Sequence, residues 1–263
     1  MADEKRPAHF WEKEAKQLKE QIKEVKDDGK GQKRKASSVA RVPIGIEGFD
    51  QLVEGGLKKN SITLVEGEAG TGKTIFCTQF LMEGILKYNE PGVFINFEEG
   101  RDEFFDNMLR FGWDMENMER EGKLAFMKTT PEQLEKMLNA GGGLLRDVLD
   151  RVKAKRVVID SLSSYMMMHD EESTKRDSCL LLFQSVKKWE CTTLVAGEIF
   201  ENNDEHPINV LDYEVDGVIR LYNLKEQKVR SRALEVFKMR GTKNATKTFS
   251  FAITDNGIVV YPE

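Results

Sequence analysis

The spacing of hydrophobic positions divides this chain into three stretches. In the first, Trp11, Ala15, Leu18, Ile22 and Val25 recur at alternating steps of four and three among Lys, Glu, Asp and Gln. That spacing predicts a charged helix with a short a/d seam. The seam is too short to hold an isolated coiled coil. It is expected either to stay solvated or to pack on the body, a neighbouring subunit or a partner helix. Asp28-Gly29-Lys30-Gly31-Gln32-Lys33-Arg34-Lys35 then reads as a flexible linker carrying a basic cluster.

From Val42 onward, apolar β-type runs alternate with helical patterns. Strands are expected at Ser61–Glu66, Gly92–Phe97, Leu124–Met127, Arg156–Asp160 and Thr192–Gly197. Helices are expected at Lys73–Lys87, Arg101–Phe111, Pro131–Lys153 (interrupted at Gly141-Gly142-Gly143) and Thr174–Lys188. After Val215 the period becomes two. Gly217–Leu224, Ala233–Met239, Thr246–Ile253 and Ile258–Tyr261 read as successive antiparallel strands. The pattern predicts an arm and linker over residues 1–40. It predicts an α/β body over 41–263, a mostly parallel sheet between helices finished by an antiparallel β-meander.

Composition narrows the function classes. Hydrophobic residues make up 40% of the chain and charged residues 32%, with a mean hydropathy of −0.50. No uncharged apolar run approaches the roughly 18 residues of a membrane span, and the first residues lack the apolar core of a secretory signal. A cytoplasmic, non-membrane protein is expected. The net charge of −5 lacks the basic surplus of a nonspecific DNA binder. Cys77, Cys179 and Cys191 form no disulfide or zinc spacing, so reduced core thiols are expected. His9, His169 and His206 are isolated, and none is expected to bind metal or catalyse.

The strongest chemical signal is Gly67-Glu68-Ala69-Gly70-Thr71-Gly72-Lys73-Thr74, which matches G-x-x-x-x-G-K-[ST] between a predicted strand and a predicted helix. Glycines let the backbone curl until its N–H groups face phosphate oxygens, and the helix N-terminus adds a favourable dipole. Lys73 is expected to reach the β- and γ-phosphates of ATP. The Thr74 hydroxyl is expected on Mg²⁺, and Ile75 continues the loop into the helix. Asp160 ends the run Arg156-Val157-Val158-Ile159, at the strand-end rim where ligands of such sheets bind. It is the candidate Walker B carboxylate and second metal-side ligand. Glu98 and Glu99 end another strand, and one of them is a candidate for activating water. Glu198, after Gly197, is a candidate γ-phosphate sensor.

These motifs, with Arg41–Asp50, Gly55-Gly56-Leu57, Phe97-Glu98-Glu99, Val158-Ile159-Asp160-Ser161, Val215–Leu221 and Val236–Gly241, resemble the KaiC-like branch of the RecA superfamily of ATPases. The resemblance implies a RecA core, six-membered rings and ATP at each subunit junction. It gives Glu98 and Glu99 the role of paired catalytic glutamates. It also places Lys238, Met239 and Arg240 at the neighbour's nucleotide, with Arg240 and Lys238 acting like arginine fingers. Two departures stand out. Clock members of the family carry two such domains in tandem, whereas this chain has one. Where their autophosphorylating domain has an adjacent Ser-Thr pair, this chain has Asp212 and Tyr213, so a phosphorylation cycle at that site is not expected.

The leading expectation is an oligomeric ATPase that switches a regulatory or signalling partner, with residues 1–38 as a possible contact. A RadA-like DNA recombinase is the alternative from another class. The acidic run Glu198, Glu201, Asp204, Glu205, Asp212, Glu214 and Asp216 opposes it, because such a lining repels phosphates. A poorly hydrolysing, FlaH-like assembly platform is a third reading. Tyr165-Met166-Met167-Met168 is expected to fill core or pack between subunits.

Overall fold

The computed structural model describes residues 40–198, 210–226 and 229–262. The arm, except Ala40, and the acidic positions Glu201, Asp204 and Glu205 lie outside the described residues, as do His9 and His206.

A two-residue pair, β1 (Arg41–Val42) and β2 (Leu57–Lys58), precedes the main sheet. The order then runs β3 (Ile62–Gly67), α1 (Lys73–Tyr88), β4 (Gly92–Asn96), α2 (Arg101–Leu109), α3 (Met115–Arg120) and β5 (Leu124–Lys128). Next come α4 (Pro131–Asn139), α5 (Gly143–Val152), β6 (Arg156–Asp160), α6 (Leu162–Met167), α7 (Glu172–Lys187) and β7 (Thr192–Gly197). A 3-10 turn at Val210–Tyr213 leads into β8 (Gly217–Glu226), β9 (Val229–Met239), β10 (Thr248–Thr254) and β11 (Gly257–Tyr261). The main sheet has nine strands in the order β11-β10-β9-β8-β3-β7-β6-β4-β5. The strands from β8 to β5 run parallel and those from β8 to β11 pair antiparallel. The expected α/β architecture is the observed one, and β8 belongs to both halves of it.

Period-two alternation divides the strand side chains between two cores. Val65, Phe94, Val158, Leu194 and Ala196 face the layer that holds α1, α2 and α3, with Phe76, Phe80, Phe104 and Trp113 among them. Leu64, Ile95, Ile159 and Val195 face the layer of α4 to α7, with Leu134, Leu149, Tyr165 and Phe183. Helix α4 starts where a capping box, Thr130 with Gln133, satisfies its first N–H groups. The expected break at Gly141-Gly142 separates α4 from α5. Two short helices were not legible in the pattern, α3 and α6, each of six residues. Fewer than two turns give too few repeats for a helical period to show. Of the methionine run, Met166 and Met168 pack on the second core, whereas Met167 is 70% exposed.

Arg156 opens β6 and is fully buried. Its Nε donates to Glu90 Oε2 at 2.7 Å and its Nη1 to the Phe80 carbonyl at 2.7 Å, with the guanidinium 4.6 Å from the Phe80 ring centroid. Gly84 makes room for it, because a Cβ there would lie 2.3 Å from Arg156 Nε and 2.7 Å from its Cζ. The guanidinium cannot swing aside without leaving its own buried charge and the Phe80 carbonyl unpaired.

A second buried ion group lies under the other half of the sheet. Arg220 on β8 donates to Glu66 Oε2 at 3.1 Å and to Asp212 Oδ2 at 3.4 Å, and its guanidinium sits 3.5 Å from the Phe237 ring centroid. Phe237 is the extra residue of a bulge, since Val218 pairs Lys238 while Ile219 pairs Val236. Two carboxylates thus share one guanidinium in a dry setting. Burial, then the Asp212 charge, push Glu66 from an ordinary 4.5 up to about 7 against the pull of Arg220, and burial raises Asp212 also.

Two outcomes are expected. Gly84→Ala gains helix propensity, about 1 kcal/mol, but forces the Arg156 contacts apart. A net loss on the order of 1 kcal/mol is expected as a lowered melting temperature; an unchanged or raised midpoint would refute the close fit. For Glu66, the folded state holds a proton that the unfolded state has released, so stability should fall as pH rises from about 4.5 to 7. Glu66→Gln keeps a neutral acceptor for Arg220 and should flatten that slope in melting curves taken across this range. An unaltered slope would assign the proton to another group.

Candidate active site

Parallel pairing brings the C-terminal ends of several strands to one rim. Asn96 at the end of β4 pairs with Asp160 at the end of β6, and Asp160 pairs with Ala196 on β7. Gly197, next in β7, pairs with Glu66 on β3. Chains leaving these ends all enter the same space, which gathers the loop 67–74, Glu98-Glu99, Asp160 and Glu198.

The loop 67–74 is shaped by its glycines. Gly70 and Gly72 take φ of 78° and 103°, in the left-handed region where a side chain is strained. Thr71 closes the curl through its N–H and its hydroxyl, both donating to the Glu68 carbonyl, at 3.3 and 2.9 Å. Lys73 Nζ arches over the loop and donates to the Gly67 and Glu68 carbonyls at 2.7 and 3.0 Å. Among the described residues no side chain caps the N-terminus of α1. Its first N–H groups therefore face the curl, the arrangement that suits a polyphosphate. Ile75, in the first turn, packs against the first core.

Thr74 Oγ1 donates to Asp160 Oδ2 at 2.8 Å. This pairs the hydroxyl and the carboxylate expected on a hard cation, an oxygen set suited to Mg²⁺. Asp160 is 7% exposed. Burial lifts its carboxyl to about 6, held back by the Thr74 hydrogen bond, raised further by Glu98, and opposed by Lys73. An acid that resists ionisation alone is a favourable place for a positive charge.

The two glutamates are presented differently. The Asn96 side-chain carbonyl accepts from the Glu98 and Glu99 N–H groups at 2.7 and 2.9 Å and fixes the turn. Glu98 Oε1 accepts from Ser161 Oγ at 3.2 Å and Ser164 Oγ at 3.0 Å, beside Asp160. Glu99 turns toward α2, where Asn107 Nδ2 reaches its Oε2 at 3.4 Å. Glu198 is tied through its backbone, its N–H donating to Ser163 Oγ at 2.7 Å. The serines of Ser161-Leu162-Ser163-Ser164 and the Asn96 amide were not singled out by sequence reasoning. Serines after a strand read as ordinary helix caps, and Ser161 does cap α6 by accepting from the Ser164 N–H.

Lys238, Met239 and Arg240 are not brought to this rim. Lys238 pairs with Val218, which pairs with Leu64, three strand positions short of Gly67. At about 3.3 Å per residue that is about 10 Å toward the opposite end of the sheet. The Arg240 N–H bonds the Asp216 carbonyl, and the Asp216 N–H bonds the Ile62 carbonyl, placing Arg240 farther still. Lys238 Nζ donates to the Asp212 carbonyl and, at 2.9 Å, to that of Val215; Arg240 Nη2 donates to the Tyr213 carbonyl. Met239 is buried against Gly217. Among the described residues no group of three or more His, Cys, Asp or Glu is placed to hold a metal, and no helix is long and apolar enough to cross a membrane.

Known proteins share this arrangement along most of the chain. The circadian clock oscillator protein KaiC of Synechococcus elongatus is 37% identical over 235 residues, covering 86% of this chain and 45% of that protein. KaiC of Prochlorococcus marinus subsp. pastoris is 36% identical over 233 residues, covering 85% and 45%. The chain thus spans less than half the length of these curated relatives. The crystal structure of a KaiC-like protein from the hyperthermophilic archaeon Pyrococcus horikoshii OT3 superposes with a TM-score of 0.76 at 35% identity, over 85% of this chain and 100% of that one. The KaiC ATPase family itself matches residues 42–263, from β1 through the last strand. A RecA-like sheet with the loop 67–74 at its rim therefore comes with a family, and this chain belongs to the KaiC ATPases.

Proposed function

We propose that this chain binds ATP with Mg²⁺ on the loop 67–74 and hydrolyses it, in a ring of copies whose nucleotide state switches a partner. The observation that carries the reading is the contact of Thr74 with Asp160 alongside a Glu98 carboxylate held by two serines. Gly67, Glu68, Ala69, Gly70, Thr71, Gly72 and Lys73 would hold the phosphates. Thr74 and Asp160 would hold the cation, which supplies positive charge against the phosphate oxygens. Glu98 takes a proton from water as the water oxygen bonds the γ-phosphorus. The bond from that phosphorus to the β–γ bridging oxygen breaks, and its electron pair leaves with ADP. Glu99 supports the turn and the local negative field, and Glu198 senses the γ-phosphate side.

The same strand register supports the sharing of sites between copies. Lys238 and Arg240 sit at the sheet end away from their own loop, so they can serve only a neighbour's nucleotide. Hexameric rings follow from the family resemblance. The relatives are named circadian clock oscillator proteins, and we extend from them only the idea of nucleotide turnover as a switch. We assign the switching contact to residues 1–38, within the arm and linker of 1–40, and the ATPase to 41–263. Three free, buried cysteines suit a reducing cytoplasm.

Lys73→Ala should abolish nucleotide binding or turnover, whereas Glu98→Gln should keep ATP and lose at least about a hundredfold in turnover. Binding and phosphate release measured on the same samples check both. Wild-type behaviour in Lys73→Ala would end the ATP-site assignment, and wild-type turnover in Glu98→Gln would move the base elsewhere.

Arg240→Ala should lower turnover while sparing ATP affinity. Mixed with Glu98→Gln subunits, which are also poor alone, it should recover part of the ATPase activity, because some junctions then pair an intact base with an intact arginine. Recovery absent from subunit-exchanging mixtures, or full turnover by monomers, would refute the sharing.

A further inference from the structure

Glu98 is exposed, so packing does not hold its side chain. Asn96 pins the backbone of the turn, but three side-chain torsions remain between that backbone and the carboxylate. What fixes them is hydrogen bonding from α6. Ser164 Oγ donates to Oε1 at 3.0 Å and Ser161 Oγ at 3.2 Å, and the two hydroxyls lie 3.1 Å apart. Among the described residues Oε2 has no hydrogen-bond partner, so one oxygen is anchored and the other is available.

The anchor itself is rigid. Helix α6 begins two residues beyond Asp160, with Ser161 between them as its N-cap, so its first turn is tied closely along the chain to the cation-side carboxylate. Leu162 and Tyr165, which flank the serines, are buried at 3% and 0% exposure in the second core. Ser163, between them, binds the Glu198 backbone on the far side. The first turn of α6 thus measures the distance from Asp160 to Glu98.

We propose that Ser164 is a positioning residue for water activation. Its hydroxyl holds Glu98 Oε1 so that Oε2 faces the attacking water. This rests on the reading of Glu98 as the base. The water proton passes to Oε2, the water oxygen bonds the γ-phosphorus, and the bond to the bridging oxygen breaks toward ADP. Ser164 neither gains nor loses a proton. Ser161 shares the contact, but its hydroxyl also caps α6, so its removal would mix two effects. Ser164 stands in the first turn without a capping duty, where alanine is a good helix former.

The test uses the full chain in four variants: Ser164→Ala, Ser164→Thr, Glu98→Gln, and Ser164→Ala combined with Glu98→Gln. Ser164→Ala should lower kcat about ten- to a hundredfold, the scale of a misplaced reacting group, while KM, ATP affinity and melting temperature stay near wild type. Ser164→Thr restores the hydroxyl and should restore most of kcat. In the Glu98→Gln background the alanine change should have no further effect, since Ser164 acts only through that carboxylate. Should Ser164→Ala misfold, Ser164→Cys replaces the hydroxyl with a weak donor of similar size and should show the same loss. A wild-type kcat in Ser164→Ala or Ser164→Cys, with Glu98→Gln inactive, overturns the proposal and leaves Glu98 as base. A further loss in the double variant equal to that in the single one also overturns it. Wild-type turnover in Glu98→Gln overturns the base and its positioning together.

Discussion

Everything chemical in this molecule depends on the in-register ending of β3, β7, β6 and β4 at one rim. Parallel strands with helices on both faces cannot end at random. Each strand must alternate its side chains between two cores, and a slip of one residue would exchange those faces. The alternation of Phe94 and Val158 against Ile95 and Ile159 sets the register. The register in turn sets Asn96 beside Asp160 and Glu66 beside Gly197. The loop 67–74, the acidic turn and Asp160 are neighbours because the hydrophobic pattern beneath them allows only one pairing.

The parts legible in the sequence are those in which chemistry restricts both residue type and spacing. The loop motif needs glycines, Lys73 and Thr74 at fixed offsets and the candidate acid needs a strand end, so the places of the loop and of Asp160 in the fold could be read directly. The paired glutamates could be read as an acidic strand end, but spacing did not distinguish them. The distinction comes from Ser164 and Asn107, which lie on different helices and claim one carboxylate each. Long-range polar contacts were not legible at all. Glu66 and Arg220 are 154 residues apart, and each taken alone is an ordinary strand residue. The short helices α3 and α6 were missed because their period barely repeats, and α6 with its N-cap Ser161 carries the three serines at the rim.

Among the described residues two arginines are buried in the body, and each is matched by carboxylate partners. Arg156 holds β6 against α1 through Glu90 and the Phe80 carbonyl. Arg220 holds β8 against β3 and against the turn at 210–213. An isolated buried ion is costly, and removal of one partner is more disruptive than an apolar replacement of the whole group. Such groups stabilise weakly but tolerate little displacement, because a shifted partner leaves an unpaired charge in a dry site.

That intolerance bears on Lys238 and Arg240. Both are fastened to carbonyls of the segment 212–215. The Asp212 carboxylate in the same segment is fastened to Arg220, and Arg220 to Glu66, one residue before the phosphate loop. The two basic groups and the loop are therefore joined by a continuous set of polar contacts, buried at Arg220 and progressively more exposed toward Lys238 and Arg240. Contiguity by itself is not coupling. It does set a physical condition: the segment 212–215 cannot shift far while Asp212 and Arg220 stay paired. A lysine and an arginine held this way present their charges with few free torsions, which reduces the entropy lost when they meet an anion. The register that gathers one site at the rim thus also leaves a preorganised basic pair at the opposite end of the sheet.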